Sequence, residues 1–381
     1  MKILVLGCGH IGSIAAEDFA ENMKSIRVVV ADKNEVRSKE VADGIREANV
    51  SWIQLDAEYN ELIDVLEDYD LVVGFLPGKL GYRLSEACIN VGKDLVDVSY
   101  MSENPLALNE KAVEAGVTIV PDCGLAPGIS NVLVGHAAEK LDDVETVHIM
   151  VGGIPEERVP PLDYVITWSP ENLIDEYMRK AKIVKDGRLV EVEALSGLEE
   201  VEFPKVGMLE AFYTDGLRTL LHTIKNVKDM WEKTLRYPGH AERIKLLKAL
   251  GFFDEERLSV DDVTISPRKL AVKLFVRKLQ RPEIRDIVAM KVEVSGIKNN
   301  KHVHYIYHLL DRYDKEKGVT AMARTTAYPA SIIAQFMLKK IVKEKGVVQL
   351  ERLGMYDEFF SAFLKELKKR GITITEELIS D

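Results

Sequence analysis

The sequence predicts an α/β protein. A doubly wound parallel sheet is expected over residues 1–125, an inserted mixed α/β (α+β) second domain over 126–320, and a helical return over 321–381. Three observations carry this reading. Buried-type apolar runs alternate with amphipathic segments up to residue 122, the grammar changes after Gly124, and helical patterning resumes from Ala321.

Taken in order, strands are expected at 3–7, 25–32, 50–56, 70–77, 93–99 and 117–122. Helices are expected between them at 11–23, 35–46, 58–66, 80–91 and 105–115, the last opening at Pro105. Short apolar runs separated by helices are the pattern of strands covered on both faces. A helix at 129–141 leads into the strand VETVHIMVGG at 144–153. The stretch from Asp286 to Asp311 alternates apolar and polar residues and reads as an antiparallel hairpin turning near 298–300. Helices at 329–343 and 354–370 close the chain, and the charged stretch 365–370 reads as a solvated helix end.

Bulk properties exclude several functional classes. A net charge of −11 and a pI near 5.4 argue against nucleic acid and anionic membrane as main partners. The apolar runs fall short of a membrane span, and Met1-Lys2 runs straight into a strand rather than a signal peptide. Cys8, Cys88 and Cys123 form no CxxC pair, which fits a reducing cytoplasm and gives neither a disulfide framework nor a zinc site. Abundant Lys, Glu and Arg with little Gln is a thermophilic composition.

The first strand ends in Gly7-Cys8-Gly9-His10-Ile11-Gly12. The first glycine permits a tight turn, the second a close approach of pyrophosphate to the backbone, and the third close packing of helix on sheet. Phosphates then sit on the free amides of the helix N-terminus. Asp32 ends the second strand, where a carboxylate accepts ribose hydroxyls and repels a 2′-phosphate. The expected cofactor of this Rossmann domain is therefore NAD, with Lys33 and Arg37 close by as a counterweight. Asp56 ends the third strand, either near the adenine or as a plain strand-end aspartate. Leu76-Pro77-Gly78 ends the fourth strand, where the nicotinamide-side ribose passes.

DVSYM (97–101), CGLAPGISN (123–131), TDGLRTL (214–220), TLRYPGH (234–240) and MARTTAYPASI (322–332) together resemble the saccharopine dehydrogenase-like family. The resemblance covers nearly the whole chain and keeps the segments in order. It implies a Rossmann domain, an inserted mixed-sheet domain, a C-terminal return to the Rossmann domain, and a homodimer. TLRYPGH is similar to the TxRYPGH segment of lysine dehydrogenase-like members. After Trp168-Ser169-Pro170, saccharopine-forming members carry an arginine for an extra carboxylate of the substrate, whereas here Glu171 stands. The resemblance therefore implies NAD-dependent oxidation of the ε-amine of L-lysine to the semialdehyde, which cyclises to a piperideine carboxylate with release of ammonia. A saccharopine-type or other amino-acid or polyamine C–N oxidoreductase is the alternative within enzymes. An NAD-responsive binding protein is the alternative outside them.

Asp97, Ser99 and Tyr100 follow the fifth strand at its carboxyl end, where ligands of an open α/β sheet lie. Ser99 borders cofactor and substrate alike. The competing reading is a strand-end aspartate tied to local amides. Arg236 offers a planar guanidinium for an α-carboxylate, against a plain ion pair. Tyr213, Thr214 and Asp215 are expected to border the pocket, although Thr214 or Asp215 also suits a helix cap. Glu171 attracts an ammonium group or merely complements a helix dipole behind Pro170. Asp97, His240 and Tyr213 are the candidates for acid/base work, because an amine must be neutral before its carbon releases hydride. His302, His304 and His308 share one strand face, which supplies too few convergent ligands for a metal.

Overall fold

In a computed structural model, residues 1–58, 61–281 and 283–380 are described, Glu61 by its backbone alone. The chain forms two compact units: Met1–Glu139 with Ala323–Ile372, and Lys140–Met322 with Thr373–Asp381.

The first unit opens with β1 (Lys2–Leu6), α1 (His10–Asn22), β2 (Arg27–Asp32), α2 (Glu35–Gly44), β3 (Val50–Gln54) and α3 (Glu61–Leu66). It continues with β4 (Leu71–Gly74), α4 (Gly78–Asn90), β5 (Asp94–Asp97), a 3-10 turn at Pro105–Leu108, α5 (Asn109–Glu114), β6 (Thr118–Val120) and α6 (Ile129–Glu139). The expected helix at 58–66 includes residues 59 and 60, which lie outside the described residues.

The second unit supplies β7 (Asp143–Pro155), α7 (Pro170–Met178), β8 (Ala181–Lys185), β9 (Arg188–Val192), β10 (Glu199–Phe203), β11 (Gly207–Tyr213), α8 (Leu220–Thr223) and β12 (Asp229–Arg236). It goes on through α9 (His240–Ala249), β13 (Leu258–Val260), β14 (Val263–Ile265), α10 (Pro267–Leu279), β15 (Asp286–Lys298) and β16 (Lys301–Arg312). The chain ends with α11 (Ala321–Leu338), β17 (Gly346–Val347), α12 (Leu350–Gly354), α13 (Asp357–Lys369) and β18 (Ile374–Ser380).

The expected fold class holds. The first sheet has the order β17-β6-β5-β4-β1-β2-β3, with parallel pairing throughout. The strand order reverses beside β1, between β2 and β4, as in doubly wound dinucleotide-binding sheets. Leu4, Leu6, Val29, Val72 and Leu95 from the strands pack on Leu62, Leu84, Cys88 and Ala112 from helices. Burial of this kind contributes about 25 cal/mol per Å² of apolar surface, which is why strands covered by helices read as unbroken apolar runs.

The second sheet is mixed, with the path β10-β11-β12-β7-β15-β16-β18 and β8 and β9 attached beside β12. The β7 and β12 strands are parallel, and β15 is antiparallel to β7 and β16. The β15–β16 turn falls at Asn299 and Asn300, both with positive φ, where the sequence placed it. Two residues of that conformation match the twist of a hairpin, and asparagine tolerates it.

Three expectations fail at the C-terminal side. Pro329 does not open a helix but lies inside α11, which begins at Ala321. Residues 374–380 form a strand on β16 rather than ending in helices. Arg370 is not a solvated end: its side chain is 6% exposed and paired with Asp18. Residues 126–139, expected to open the inserted domain, belong to the first unit. No described helix is long and apolar enough to cross a membrane.

Candidate functional site

The carboxyl ends of the first sheet gather the cofactor candidates. Gly7 follows β1 with φ +105°, a conformation that L side chains rarely adopt, and a Cβ there would fall against the Phe75 carbonyl. A Cβ on Gly12 would overlap the Gly7 carbonyl oxygen, so this glycine sets how closely α1 approaches the turn. A Cβ on Gly9 would meet nothing within 4 Å. Gly9 is the N-cap of α1 and has no side chain to occupy the helix's first amides. The three glycines thus show a tight turn, an open approach and a close packing contact, and the open one lies at a helix N-terminus suited to an anion. His10, exposed, and Ile11, half-buried, form the first turn.

Asp32 is half-buried at the end of β2. Its Oδ2 accepts the Cys8 N–H at 2.9 Å and its Oδ1 the Asn34 N–H at 2.9 Å. Each oxygen keeps lone-pair capacity for a second donor, so the two amides aim the carboxylate without exhausting it. Burial, reinforced by Asp32, pushes the Cys8 thiol up to about 12. Lys33 is exposed beside Asp32. Asp56 lies two residues beyond β3 and accepts the Glu58 N–H at 3.0 Å, a local turn contact. Leu76 is half-buried and Pro77 exposed between β4 and α4.

Asp97 ends β5. It is fully buried, with Oδ2 accepting the Ser99 N–H at 3.0 Å and Oδ1 the Ser99 hydroxyl at 2.9 Å. A Cβ on Gly81 would come within 2.5 Å of Ser99 Cβ and 3.0 Å of Asp97 Oδ2, so both side chains face α4 rather than solvent. Asp97 thus makes the strand-end tie that was the competing reading of its sequence position. Ser99 is 2% exposed and spends its hydroxyl on that tie, while Tyr100 is half-buried.

The candidates of the second unit form a buried polar network. Thr214 Oγ1 lies 2.9 Å from Thr234 Oγ1, and Thr234 bonds Glu176 Oε1 at 2.9 Å. Arg236 donates to Glu176 Oε2 at 2.9 Å and to the Leu235 carbonyl at 2.9 Å, and its guanidinium lies 4.8 Å from the Tyr164 ring centroid. Burial works against this charge, and Glu176 more than restores it, leaving the Arg236 pKa raised. Arg236 is thus paired with an internal carboxylate, while its buried Nε has no hydrogen-bond partner among the described residues.

His240 belongs to the same network. It is 1% exposed, Nδ1 lies 2.9 Å from the Leu162 carbonyl, and Nε2 lies 2.9 Å from the Tyr177 hydroxyl. A carbonyl only accepts, so Nδ1 carries the proton and Nε2 accepts from Tyr177. Burial, with Arg236 nearby, lowers its pKa to about 3, so it stays neutral and occupied at physiological pH. Neighbouring Glu210 accepts the Gly239 and Ala241 amides at 2.8 and 2.6 Å and so holds the start of α9.

Tyr213 is raised in pKa by burial, Asp229 and Glu199, and Lys233 Nζ sits 4.6 Å from its ring centroid. That shift moves its hydroxyl further from titration near neutrality. Asp215 pairs with Arg179 at 3.7 Å. Glu171 is exposed in the first turn of α7, whose N-cap Ser169 accepts the Asn172 N–H at 3.3 Å. That placement is the helix-opening alternative. His302 and His304 lie 3.4 and 3.7 Å from Glu145 and Glu293, and His308 is half-buried on the same strand.

Sequence reading missed Glu176, Tyr177 and Glu210. The available signal was positional: Asn172 and Glu176 are four apart on α7, which places a carboxylate beside an inward face.

Comparisons with known proteins agree with this architecture. The family description "Saccharopine dehydrogenase NADP binding domain" matches residues 3–120, and "Saccharopine dehydrogenase C-terminal domain" matches 124–372. An alpha-aminoadipic semialdehyde synthase of Arabidopsis thaliana is 27% identical over 294 residues, covering 67% of this chain and 27% of that protein. The chain thus spans about a quarter of that relative. A saccharopine dehydrogenase [NADP(+), L-glutamate-forming] of Saccharomyces cerevisiae is 24% identical over 455 residues, covering 100% of this chain and 99% of that protein. The apo structure of an L-Glu-forming saccharopine dehydrogenase from the same yeast shares the fold, with TM-score 0.80, 21% identity, and 99% of each chain covered. The chain belongs to the saccharopine dehydrogenase family, with that family's dinucleotide-binding and C-terminal domains.

Proposed function

We propose that the chain is an NAD-dependent dehydrogenase acting on a C–N bond of a free amino acid, with the ε-amine of L-lysine as its substrate. The observation that carries the cofactor choice is Asp32, aimed by two backbone amides at the end of β2. A carboxylate so placed receives ribose hydroxyls and opposes a 2′-phosphate. The glycine turn supplies the phosphate seat, with Gly9 open and, as the N-cap of α1, bringing no side chain into it. A nicotinamide dinucleotide held there would supply the hydride acceptor.

The choice of lysine rests on the likeness of TLRYPGH to lysine dehydrogenase-like members and on the lack, at position 171, of the arginine that a further substrate carboxylate would call for. A free ε-amine has a pKa of about 10.4, so it must shed a proton before it reacts. A saccharopine-type reaction is the second reading, favoured by the yeast relative that matches end to end.

Absorbance at 340 nm, followed with NAD or NADP and with lysine, saccharopine or ornithine in turn, tests both parts. The expected result is NAD reduction with lysine. Turnover of saccharopine alone establishes the second reading, and no turnover with binding of NADH establishes a non-catalytic NAD-binding protein. Asp32→Ala should weaken NAD use and narrow the preference over NADP. Equal or better use of NADP by the unaltered protein overturns the assignment to NAD.

A further inference from the structure

The first unit holds a buried charge cluster of its own, on the helix that begins at the glycine turn. Asp18, 5% exposed, lies on α1 about 12 Å along the axis from His10, at 1.5 Å per residue. Arg370 grips it with two parallel bonds, Nε to Oδ1 at 2.7 Å and Nη2 to Oδ2 at 2.9 Å. Oδ2 also accepts from Ser331 Oγ at 2.6 Å and Gln335 Nε2 at 3.2 Å, both on α11. The third nitrogen of Arg370 donates to Glu366 Oε2 at 2.8 Å, and the Arg370 carbonyl accepts from Arg324 at 3.0 Å. Burial opposes the charge of Arg370, and Asp18 and Glu366 more than offset it.

A buried ion pair is a poor device for stability, since apolar replacements of similar volume often do as well or better. Its distinct property is a single geometry, and a two-bond fork fixes both rotation and translation of the partner. The glycine end of α1 needs such a reference. Gly12 sets the closeness of the approach, but neither Gly9 nor Gly12 has a side chain for a directional tie, and the helix makes one further along, at Asp18.

We propose that the Asp18–Arg370 pair is a positioning element of the dinucleotide site, holding α1 so that its first amides stay aimed at the pyrophosphate. The inference rests on the reading of the glycine turn as a cofactor site. Catalytic and cofactor-binding groups tolerate little displacement, because a shift of about 1 Å can cost about a hundredfold.

The test is NADH affinity by fluorescence titration, with thermal unfolding recorded beside it. Asp18→Asn combined with Arg370→Met leaves an acceptor for Ser331 and Gln335 and no buried charge without a partner, and the new amide nitrogen meets an acceptor once the Asn22 side chain turns its oxygen towards it. The double variant should keep a melting temperature near that of the unaltered protein while binding NADH on the order of tenfold more weakly. Arg370→Lys, which retains the charge and loses the fork, should weaken binding as well. Ser331→Ala, which removes one tie and disturbs the fold least, should give a smaller loss in the same direction. Unchanged NADH affinity in the double variant and in Arg370→Lys overturns the proposal while the cofactor reading stands. Unaltered protein that binds neither NADH nor NADPH overturns both.

Discussion

The glycine turn of the first unit and the TLRYPGH segment of the second both stand out in the sequence as places for chemistry, yet the structure treats them oppositely. The turn leaves capacity unused. Gly9 faces open space, the first amides of α1 have no side-chain cap, and Asp32 retains lone pairs. The TLRYPGH segment turns most of its side-chain capacity on other residues of its unit: Arg236 on Glu176, Thr234 on Glu176 and Thr214, and His240 on Tyr177 and Leu162, with the buried Arg236 Nε left over. The difference lies in the atoms that carry the function. Backbone amides placed by glycines announce themselves in a short local motif, whereas the side chains of a polar network are indistinguishable in sequence from those of a ligand site.

The largest effect should come from breaking the network. Arg236→Ala leaves the Glu176 carboxylate buried without its cation, which should cost about 3–5 kcal/mol in denaturant unfolding. NADH affinity of the folded fraction should be nearly unchanged. A variant that keeps its stability but loses affinity for the amine substrate would establish Arg236 as a substrate anchor and erase the contrast.

His240 gives a second measure through pH. Its folded pKa, about 3, lies below the ordinary 6.5, so the unfolded chain binds a proton that the folded one refuses. The sign follows: stability from this group is complete above about pH 6.5 and is lost as pH falls towards 3, at up to about 1.4 kcal/mol per pH unit. His240→Phe should be less stable at pH 7 but show a shallower acid decline. Parallel profiles for the two proteins would mean that His240 is not held neutral.

The smallest effect belongs to Glu171, exposed at the opening of α7. Glu171→Gln should lower stability by about 0.3–1 kcal/mol at low salt through the helix dipole, less at high salt. Lysine kinetics should not move. A raised KM for lysine would place the carboxylate at the substrate instead.

The doubly wound sheet was legible because buried strands and intervening helices write their periods into every residue, and the Asn299-Asn300 turn was legible from its residue types. The start of α11 was not, because its cap is remote. Asp286 accepts the Ala321 and Met322 amides at 2.6 and 2.9 Å from 35 and 36 positions upstream, so the helix begins well before Pro329. The terminal strand ITEELIS was hidden for a different reason. All but its first residue are exposed, so no apolar alternation marks it, and pairing with β16 makes it a strand. At the site, Gly7, Gly9, Gly12 and Asp32 were readable by spacing. Glu176 was not, since its partner Arg236 lies 60 residues away.

The chain passes between its two units three times, after Glu139, after Met322 and after Ile372. During synthesis, the edge of β6 therefore has no neighbour until Gly346 and Val347 have left the ribosome, and Asp18 waits for an arginine 352 positions later. A messenger cut short after the inserted region would yield a glycine turn with an unfinished scaffold, prone to the strand-edge association that afflicts incomplete sheets. Expressing residues 1–139 alone is accordingly a poor route to a small NAD-binding fragment. A version that joins residue 139 to residue 323 through a short linker would carry every strand of the first sheet in a single continuous gene segment.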